Sequence, residues 1–483
     1  MVFSSIEFLF FFLPTLLTAY FLSPARLKNA VLLLGSLIFY AWGGGELVFI
    51  LMASVIGNYI FGAMVHRPAT RRIGLVLAIV FNIGILFFFK YFNFFIEQIW
   101  NIPGLFEGKP WFDKIILPIG ISFYTFQALS YVIDVDRGEK PPARSIWDFA
   151  LYLTMFPQLI AGPIVKYALV ADQLHDRAHS IDKFNLGAYR FLHGLFKKVV
   201  VADSIGAIAD AAFNPLYADN LGMAGAWIGL LAYTLQIYFD FSAYSDMAIG
   251  LGLMLGFNLP ENFNRPYSAV SITDFWRRWH MTLSHWFRDY LYIPLGGSRA
   301  AEPVVYRNLM IVFLATGIWH GANWTFVLWG IYHGMLLLIE RWAGTREPTS
   351  RIAWHRAATL LLVMLGWVIF RAENVDVAFA YYRALFDVTN PSLNPEVAEA
   401  ITNRGAVTLV LASVVFLLPG SFVAGRWLTR ETDAVRAGSS PHQTALHYDA
   451  VDAYRLALLI PILAVVAADV ISGTFSPFLY FQF

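Results

Sequence analysis

Long apolar runs separated by short polar and basic breaks fill most of the chain, and they predict bilayer-crossing helices before any single residue is considered. Candidate spans lie at 6–22, 30–42, 46–65, 73–96, 115–133, 190–212, 226–256, 304–318, 322–341, 355–372, 403–420 and 455–473. Pro14 can kink the first run, which neighbouring helices tolerate. The opening Met1-Val2-Phe3 has no basic stretch, so this run reads as a first span rather than a cleaved signal. Residues 373–402 and 430–450 are polar connectors, and no soluble domain of useful size stands out. The predicted fold is therefore all-α: a polytopic transmembrane helical bundle, one membrane domain over residues 1–483 with about 10–12 crossings.

Two regions interrupt simple spanning helices. Residues 146–168 carry Pro157, Gly162 and Pro163 among apolar neighbours, which predicts a re-entrant element enclosed by protein. Residues 271–299 mix aromatic and charged side chains, the pattern of an interfacial helix.

Basic loops orient the bundle. Arg26 and Lys28 follow the first span, Arg67, Arg71 and Arg72 the third, and Arg137, Lys140 and Arg144 the fifth. Arg341, Arg346, Arg351 and Arg356 form another basic loop, as do Arg426, Arg430 and Arg436. This alternation predicts those loops in the cytoplasm and both termini outside.

Composition agrees with lipid as solvent: 58% hydrophobic and 14% charged residues, against about 25% charged in soluble domains. A net charge of +1 supplies no field to attract nucleic acid. Zero cysteines exclude disulfides, thiolate metal sites and an acyl-cysteine intermediate. The sequence has no HExxH pattern, and His280 and His285 are badly spaced for one metal ion, so no metal site is expected.

Two stretches carry candidate chemistry. From Thr273 to Tyr290, a helix capped by Thr273 or Asp274 would place Phe275, Trp279, Leu283, Trp286 and Tyr290 on one side, with His280 and Ser284 near the boundary. Such a helix can simply lie at the headgroups with its arginines snorkelling, or it can also line a site open to the cytoplasm. In the second case Arg277 and Arg288 would bind donor phosphates and His280 would line the donor path.

The second stretch, Gly317-Ile318-Trp319-His320-Gly321-Ala322-Asn323, lies inside an apolar region from Val304 to Ile339. An ionisable group there costs a few kcal/mol, which makes a functional site the default. A neutral imidazole can take the proton of an attacking hydroxyl. The competing explanation is a histidine bonded between helices without chemistry. His333 is open to the same two explanations. Gly317 and Gly321 allow close backbone approach, and Gly252 and Gly256 are expected to pack helices. Asp240 and Asp246 either orient a site group or bond to Ser, Tyr or Arg partners.

At these residues the chain resembles the membrane-bound O-acyltransferase family, in its bacterial polysaccharide-acetylating branch. The matching stretches are 159–164, 239–250, 262–267, 275–284, 286–297, Trp319-His320-Gly321 and 478–483, in this order along most of the chain. The resemblance implies a helical bundle around a buried histidine, His320, as catalytic residue. It puts His280 in the place of a second polar site residue, with Arg277, Ser284, Arg288, Trp319 and Asn323 serving donor and substrate. It implies O-acetylation, with acetyl-CoA as donor and no permanently bound cofactor. Acetyl would pass across a bacterial inner membrane towards an exported polysaccharide, directly or through extracytoplasmic partner proteins. Alginate is the favoured polymer. Cellulose, another envelope polymer, D-alanyl transfer and a non-catalytic acyl-donor channel are the alternatives.

Overall fold

The computed structural model describes residues 1–100, 114–348, 350, 352–417 and 463–470. Among these the regular elements are helices, with no strand. In chain order they are α1 Glu7–Leu22 and α2 Lys28–Gly44, then α3 Val48–His66, α4 Arg71–Trp100, α5 Ile121–Arg137 and α6 Ile146–Thr154. Next come α7 Ile181–Phe196, α8 Asp203–Ala212, α9 Met223–Met254, α10 Ile272–Trp276 and α11 Met281–Phe287. The last are α12 Glu302–His320, α13 Trp324–Trp342, α14 Ile352–Arg371, α15 Val375–Phe386 and α16 Asn403–Leu417. Most of the apolar run predicted at 455–473, the basic residues Arg351, Arg426, Arg430 and Arg436, the connector 430–450 and the motif at 478–483 lie outside the described residues.

Three helical stretches, Ala25–His66, Arg71–Trp100 and Ile352–Arg371, are each long and apolar enough to cross a membrane. The first divides at Gly45, whose positive φ of 52° turns the chain between α2 and α3. Large apolar side chains such as Leu34, Phe49 and Val80 face outward from these helices.

Helix α9 forms the centre. Its residues are buried on every side, as expected for a helix that is apolar all round. It packs against α7 where small residues let the backbones meet. A Cβ on Gly187 would lie 2.5 Å from the Gly250 carbonyl oxygen, and one on Gly194 2.7 Å from that of Ala243. Against α7 the packing glycine of α9 is thus Gly250, and against α8 it is Gly229, where an added Cβ would lie 2.1 Å from that of Ala212. Gly252 faces Leu259 in the returning loop, and Gly256 makes a turn with φ of 90°.

Facing the same α7 to α9 layer is a paired ionic network. Asp246 accepts from Arg190 at 2.9 Å and from Lys197 at 2.8 Å. Arg190 also donates to Glu261 at 2.7 Å, and Lys198 lies 2.7 Å from Asp203 and 2.8 Å from Asp240. Lys197 and Lys198 occupy a widened π turn, Lys197–Ala202, that joins α7 to α8. Similar π turns at Glu7–Phe12, Phe87–Tyr91 and Arg288–Tyr292 carry Glu7, Lys90, and Arg288 with Asp289. Such turns recur at functional sites.

Contacts gather the loops at two ends of the bundle. At one end Arg71 bonds Asp136 at 2.7 Å, Arg137 donates to the Asp289 carbonyl at 3.0 Å, Ser271 to the Arg346 carbonyl at 2.8 Å, and Asn29 to the Leu174 carbonyl at 2.8 Å. These are the basic loops that the alternation of charge groups together. At the other end Trp324 donates to Gln98 at 3.2 Å, Asn323 to the Glu373 carbonyl at 2.7 Å, and Arg371 to Asp210 at 2.8 Å.

The aromatic and basic stretch is not one continuous helix. Ser271, rather than Thr273 or Asp274, caps α10 by accepting from the Asp274 N–H at 3.0 Å. The carboxylate of Glu340 adds acceptors for the N–H groups of Ile272 and Thr273, at 2.6 and 2.9 Å. The helix ends at Trp276, and α11 begins after His280. The sequence stripe assumed unbroken helical phase, which this corner interrupts.

Candidate active site

His280 forms the corner between α10 and α11 with φ of 43°, a left-handed conformation unusual outside glycine. Hydrogen bonds on both sides hold it there: Met281 N–H donates to the Asn262 carbonyl at 2.9 Å, and Asn264 N–H to the Arg278 carbonyl at 2.9 Å. The Asn262 side chain accepts from the Thr282 hydroxyl at 2.9 Å and donates to Ser245 at 3.1 Å. That hydroxyl accepts from Ile164 N–H at 3.0 Å, which ties the corner to the proline and glycine segment. Residues 151–165 of that segment are buried throughout. Backbone strain held this firmly clusters at functional sites.

His320 is the last residue of α12. Three imidazoles come together here in an aromatic enclosure: His280 is 1% exposed, His320 6% and His333 0%. Trp319 stands between the first two, its ring 6.1 Å from His280 and 5.0 Å from His320. Trp329 stands between the second two, 5.1 Å from His320 and 4.8 Å from His333. Phe241 meets the His280 ring edge-on at 4.7 Å, and Phe370 meets His320 at 5.1 Å. Among the described residues neither ring nitrogen of His280 or of His333 has a hydrogen-bond partner.

Glycines set how closely α12 and α13 approach. A Cβ on Gly317 would lie 2.3 Å from the Phe326 carbonyl oxygen, and one on Gly330 2.5 Å from that of Phe313. The helix end is then held by α4. Lys90 donates to the carbonyls of Trp319 at 2.6 Å and His320 at 2.8 Å, and the Tyr91 hydroxyl donates to that of Ile318 at 2.6 Å. A cation on the last carbonyls of a helix also meets the negative end of its dipole. In the sequence Lys90 lies inside the predicted span 73–96. Its signal was a lone cation in Phe87-Phe88-Phe89-Lys90-Tyr91-Phe92.

Lys90 lines a cavity of about 520 Å³ with Glu7, Tyr40, Ser122, Phe123 and Ala161. A second cavity, about 440 Å³, is lined by Phe326 and Phe370, which pack on the His320 ring, and by Asp210, Asn323, Arg371 and Glu373.

The other predicted residues fall in three places. Trp319 is inside the enclosure. Ser284 is half-buried on α11, its N–H donating to the His280 carbonyl at 3.1 Å. Asn323 caps α13, accepting from Thr325 N–H at 3.1 Å while donating to Glu373. Arg277 and Arg288 are exposed at the basic-loop end, paired with Glu347 at 3.1 Å and Asp289 at 2.7 Å. Lys166 also bonds Asp289. Burial alone would raise the Asp289 carboxyl, but hydrogen bonds from Arg288 and Lys166 outweigh it and hold the group below the usual carboxylate range. Among the described residues no cluster of three or more His, Asp or Glu could hold a metal ion.

A buried imidazole at a clamped helix end, walled by aromatics and flanked by cavities, is suited to taking a proton from a hydroxyl away from bulk water. Comparison with known proteins agrees in kind. The model of the membrane-bound O-acyltransferase family matches residues 136–379. An Azotobacter vinelandii protein described as "Probable alginate O-acetylase AlgI" is 44% identical over 100% of both chains. A Pseudomonas putida protein of the same description is 43% identical, again over 100% of both. The peptidoglycan O-acetyltransferase of Helicobacter pylori is 37% identical, covering 87% of this chain and 86% of its own. The chain belongs to the membrane-bound O-acyltransferase family.

Proposed function

We propose that this acyltransferase O-acetylates an exported polysaccharide, alginate, with His320 as general base. The observation that carries the assignment is His320 itself, buried on a helix end that Lys90 clamps and beside a polar cavity. The acceptor hydroxyl approaches from the end holding Asp210, Asn323 and Glu373 and gives its proton to the imidazole as its oxygen attacks the acetyl carbonyl. The carbon–sulfur bond of acetyl-CoA breaks, the coenzyme A sulfur takes the proton from the His320 imidazolium, and the free thiol leaves towards the basic-loop end, where Arg277 and Arg288 guide the donor phosphates. His280 and Trp319 flank the acetyl path, with Ser284 on the adjoining helix.

In this reading the whole chain is one unit of about 10–12 crossings in a bacterial inner membrane. The basic end faces the cytoplasm, 146–168 holds a re-entrant element and α11 is interfacial. Extracytoplasmic partner proteins complete delivery to the polymer. Full-length identity favours alginate over peptidoglycan, 44% against 37%.

The test is expression of wild type and His320→Ala at matched membrane levels in cells lacking the gene but retaining its partners. Ester-linked acetyl on the secreted polysaccharide is expected to fall at least about 100-fold in the variant. Wild-type acetylation by His320→Ala would end the general-base assignment. Acetyl found on peptidoglycan instead of polysaccharide would replace the acceptor.

A further inference from the structure

Helix α13 carries a stripe of buried polar groups that the reaction described above does not use. Thr325, Trp329 and His333 follow one another one helical turn apart, so a single face of the helix holds all three. Each is 0% exposed. Among the described residues the Thr325 hydroxyl, the Trp329 indole N–H and both His333 ring nitrogens have no hydrogen-bond partner. Buried polar groups are ordinarily paired, because leaving one unmade costs its desolvation. Three in register on one helix face therefore mark a place where another group bonds.

The middle member lies against the reacting histidine. The Trp329 ring is 5.1 Å from that of His320. His333 is a turn further along, and Thr325 belongs to the wall of the cavity that holds Asp210 and Glu373.

Acyl transfer at His320 leaves one need unmet. When the acceptor oxygen attacks the acetyl carbon, the carbonyl double bond opens and its electron pair moves onto oxygen. That oxygen needs a donor already in place. Lys90 is committed elsewhere, to the carbonyls of Trp319 and His320 and to the Ser122 hydroxyl at 3.4 Å. His320 holds the proton taken from the acceptor. Trp329 is the fixed donor. Its ring is enclosed by Trp276 at 5.5 Å, His333 at 4.8 Å and Phe370 at 5.2 Å, beside the close approach of α12 at Gly330. An N–H held among rings that exclude water reorganises little as charge develops.

We propose that the Trp329 indole N–H donates to the acetyl carbonyl oxygen as it becomes an oxyanion, which makes Trp329 a catalytic residue. This rests on the general-base reading of His320. The carbonyl then re-forms, the carbon–sulfur bond breaks, and the proton on His320 passes to sulfur. The hydrogen bond weakens as the charge leaves oxygen.

The experiment measures initial rates of labelled acetyl transfer against acetyl-CoA concentration, in membranes containing the full chain and its partners. Trp329→Phe is expected to lower kcat about 100-fold and leave KM within about threefold, because the bond is strong only at the transition state. Trp329→benzothienylalanine, introduced by codon suppression, keeps the bicyclic shape and replaces the N–H with sulfur. It should show the same loss with wild-type thermal unfolding, and it carries the test if the smaller phenyl ring unsettles the core. Wild-type kcat in this isostere overturns the proposal, as does a loss confined to KM. A fall in kcat for Trp319→Phe without one for Trp329→Phe also overturns it and moves the donor to α12. Wild-type transfer by His320→Ala removes the base and the proposal with it, whereas an inactive His320→Ala beside a fully active isostere ends the proposal alone.

Discussion

Two regions of the bundle bury ionisable groups and treat them in opposite ways. In the α7 to α9 layer charges face charges: Asp246 has Arg190 and Lys197, and Asp240 and Asp203 share Lys198. Around His320 the walls are indole and phenyl rings, and His280 and His333 have no hydrogen-bond partner among the described residues. A paired ionic network resists change because losing one partner strands the other in low dielectric. The imidazoles of His280 and His333 meet aromatic rings instead of countercharges. Burial of ionisable groups is common to both regions, and it is the supply of countercharges that separates them.

Four substitutions test that separation. Arg190→Met removes a partner of both Asp246 and Glu261 and is expected to cost about 3–5 kcal/mol of stability. Thermal unfolding in detergent should show this, while acetyl transfer per folded molecule stays near wild type. A stable but inactive Arg190→Met would move the ionic layer into the site. His280→Asn keeps a residue tolerant of the left-handed corner and removes the imidazole. Transfer should fall about thirtyfold, the equivalent of about 2 kcal/mol, with unfolding unchanged. A large stability loss instead would make His280 a packing residue.

The third, Lys90→Met, frees the carbonyls of Trp319 and His320. Transfer is expected to drop about tenfold, the scale of one charge-assisted hydrogen bond. Lys90→Arg should recover part of it, and full activity in Lys90→Met would show that the clamp is dispensable. Smallest of all is His333→Phe, which exchanges one flat ring for a somewhat larger one next to Trp276 and Trp329. It should cost less than about 1.5 kcal/mol and leave acetylation within about threefold. Loss of activity there would enlarge the reacting group to include His333.

What the sequence revealed follows the range of each signal. The burial of His320 was legible because a titratable letter in a long apolar run ends up away from water wherever the run packs. Helices were legible from the same runs. The corner at His280 was not, because the bonds that impose it come from Asn262 and Asn264, a loop away. The Glu340 carboxylate that caps α10 was hidden for the same reason: its partners are 67 or 68 residues distant. Asp240 and Asp246 were expected with Ser, Tyr or Arg partners. Arg190 fits that expectation, while Lys197 and Lys198 were read as ordinary residues of a span. Arg277 and Arg288 were legible as cations but not as members of pairs with Glu347 and Asp289.

The π turn under Lys90 makes the count of residues matter as much as their kind. A helix advances about 100° per residue. Deleting one phenylalanine from Phe87-Phe88-Phe89 would swing the whole preceding part of α4 round by that angle relative to the lysine, with almost no change in composition. Either the lysine keeps its grip on Trp319 and His320 and the upstream helix turns a new face to its neighbours, or the helix keeps its face and the lysine points elsewhere. A one-residue deletion therefore acts as a phase shift, and substitution scans, which preserve length, are blind to it.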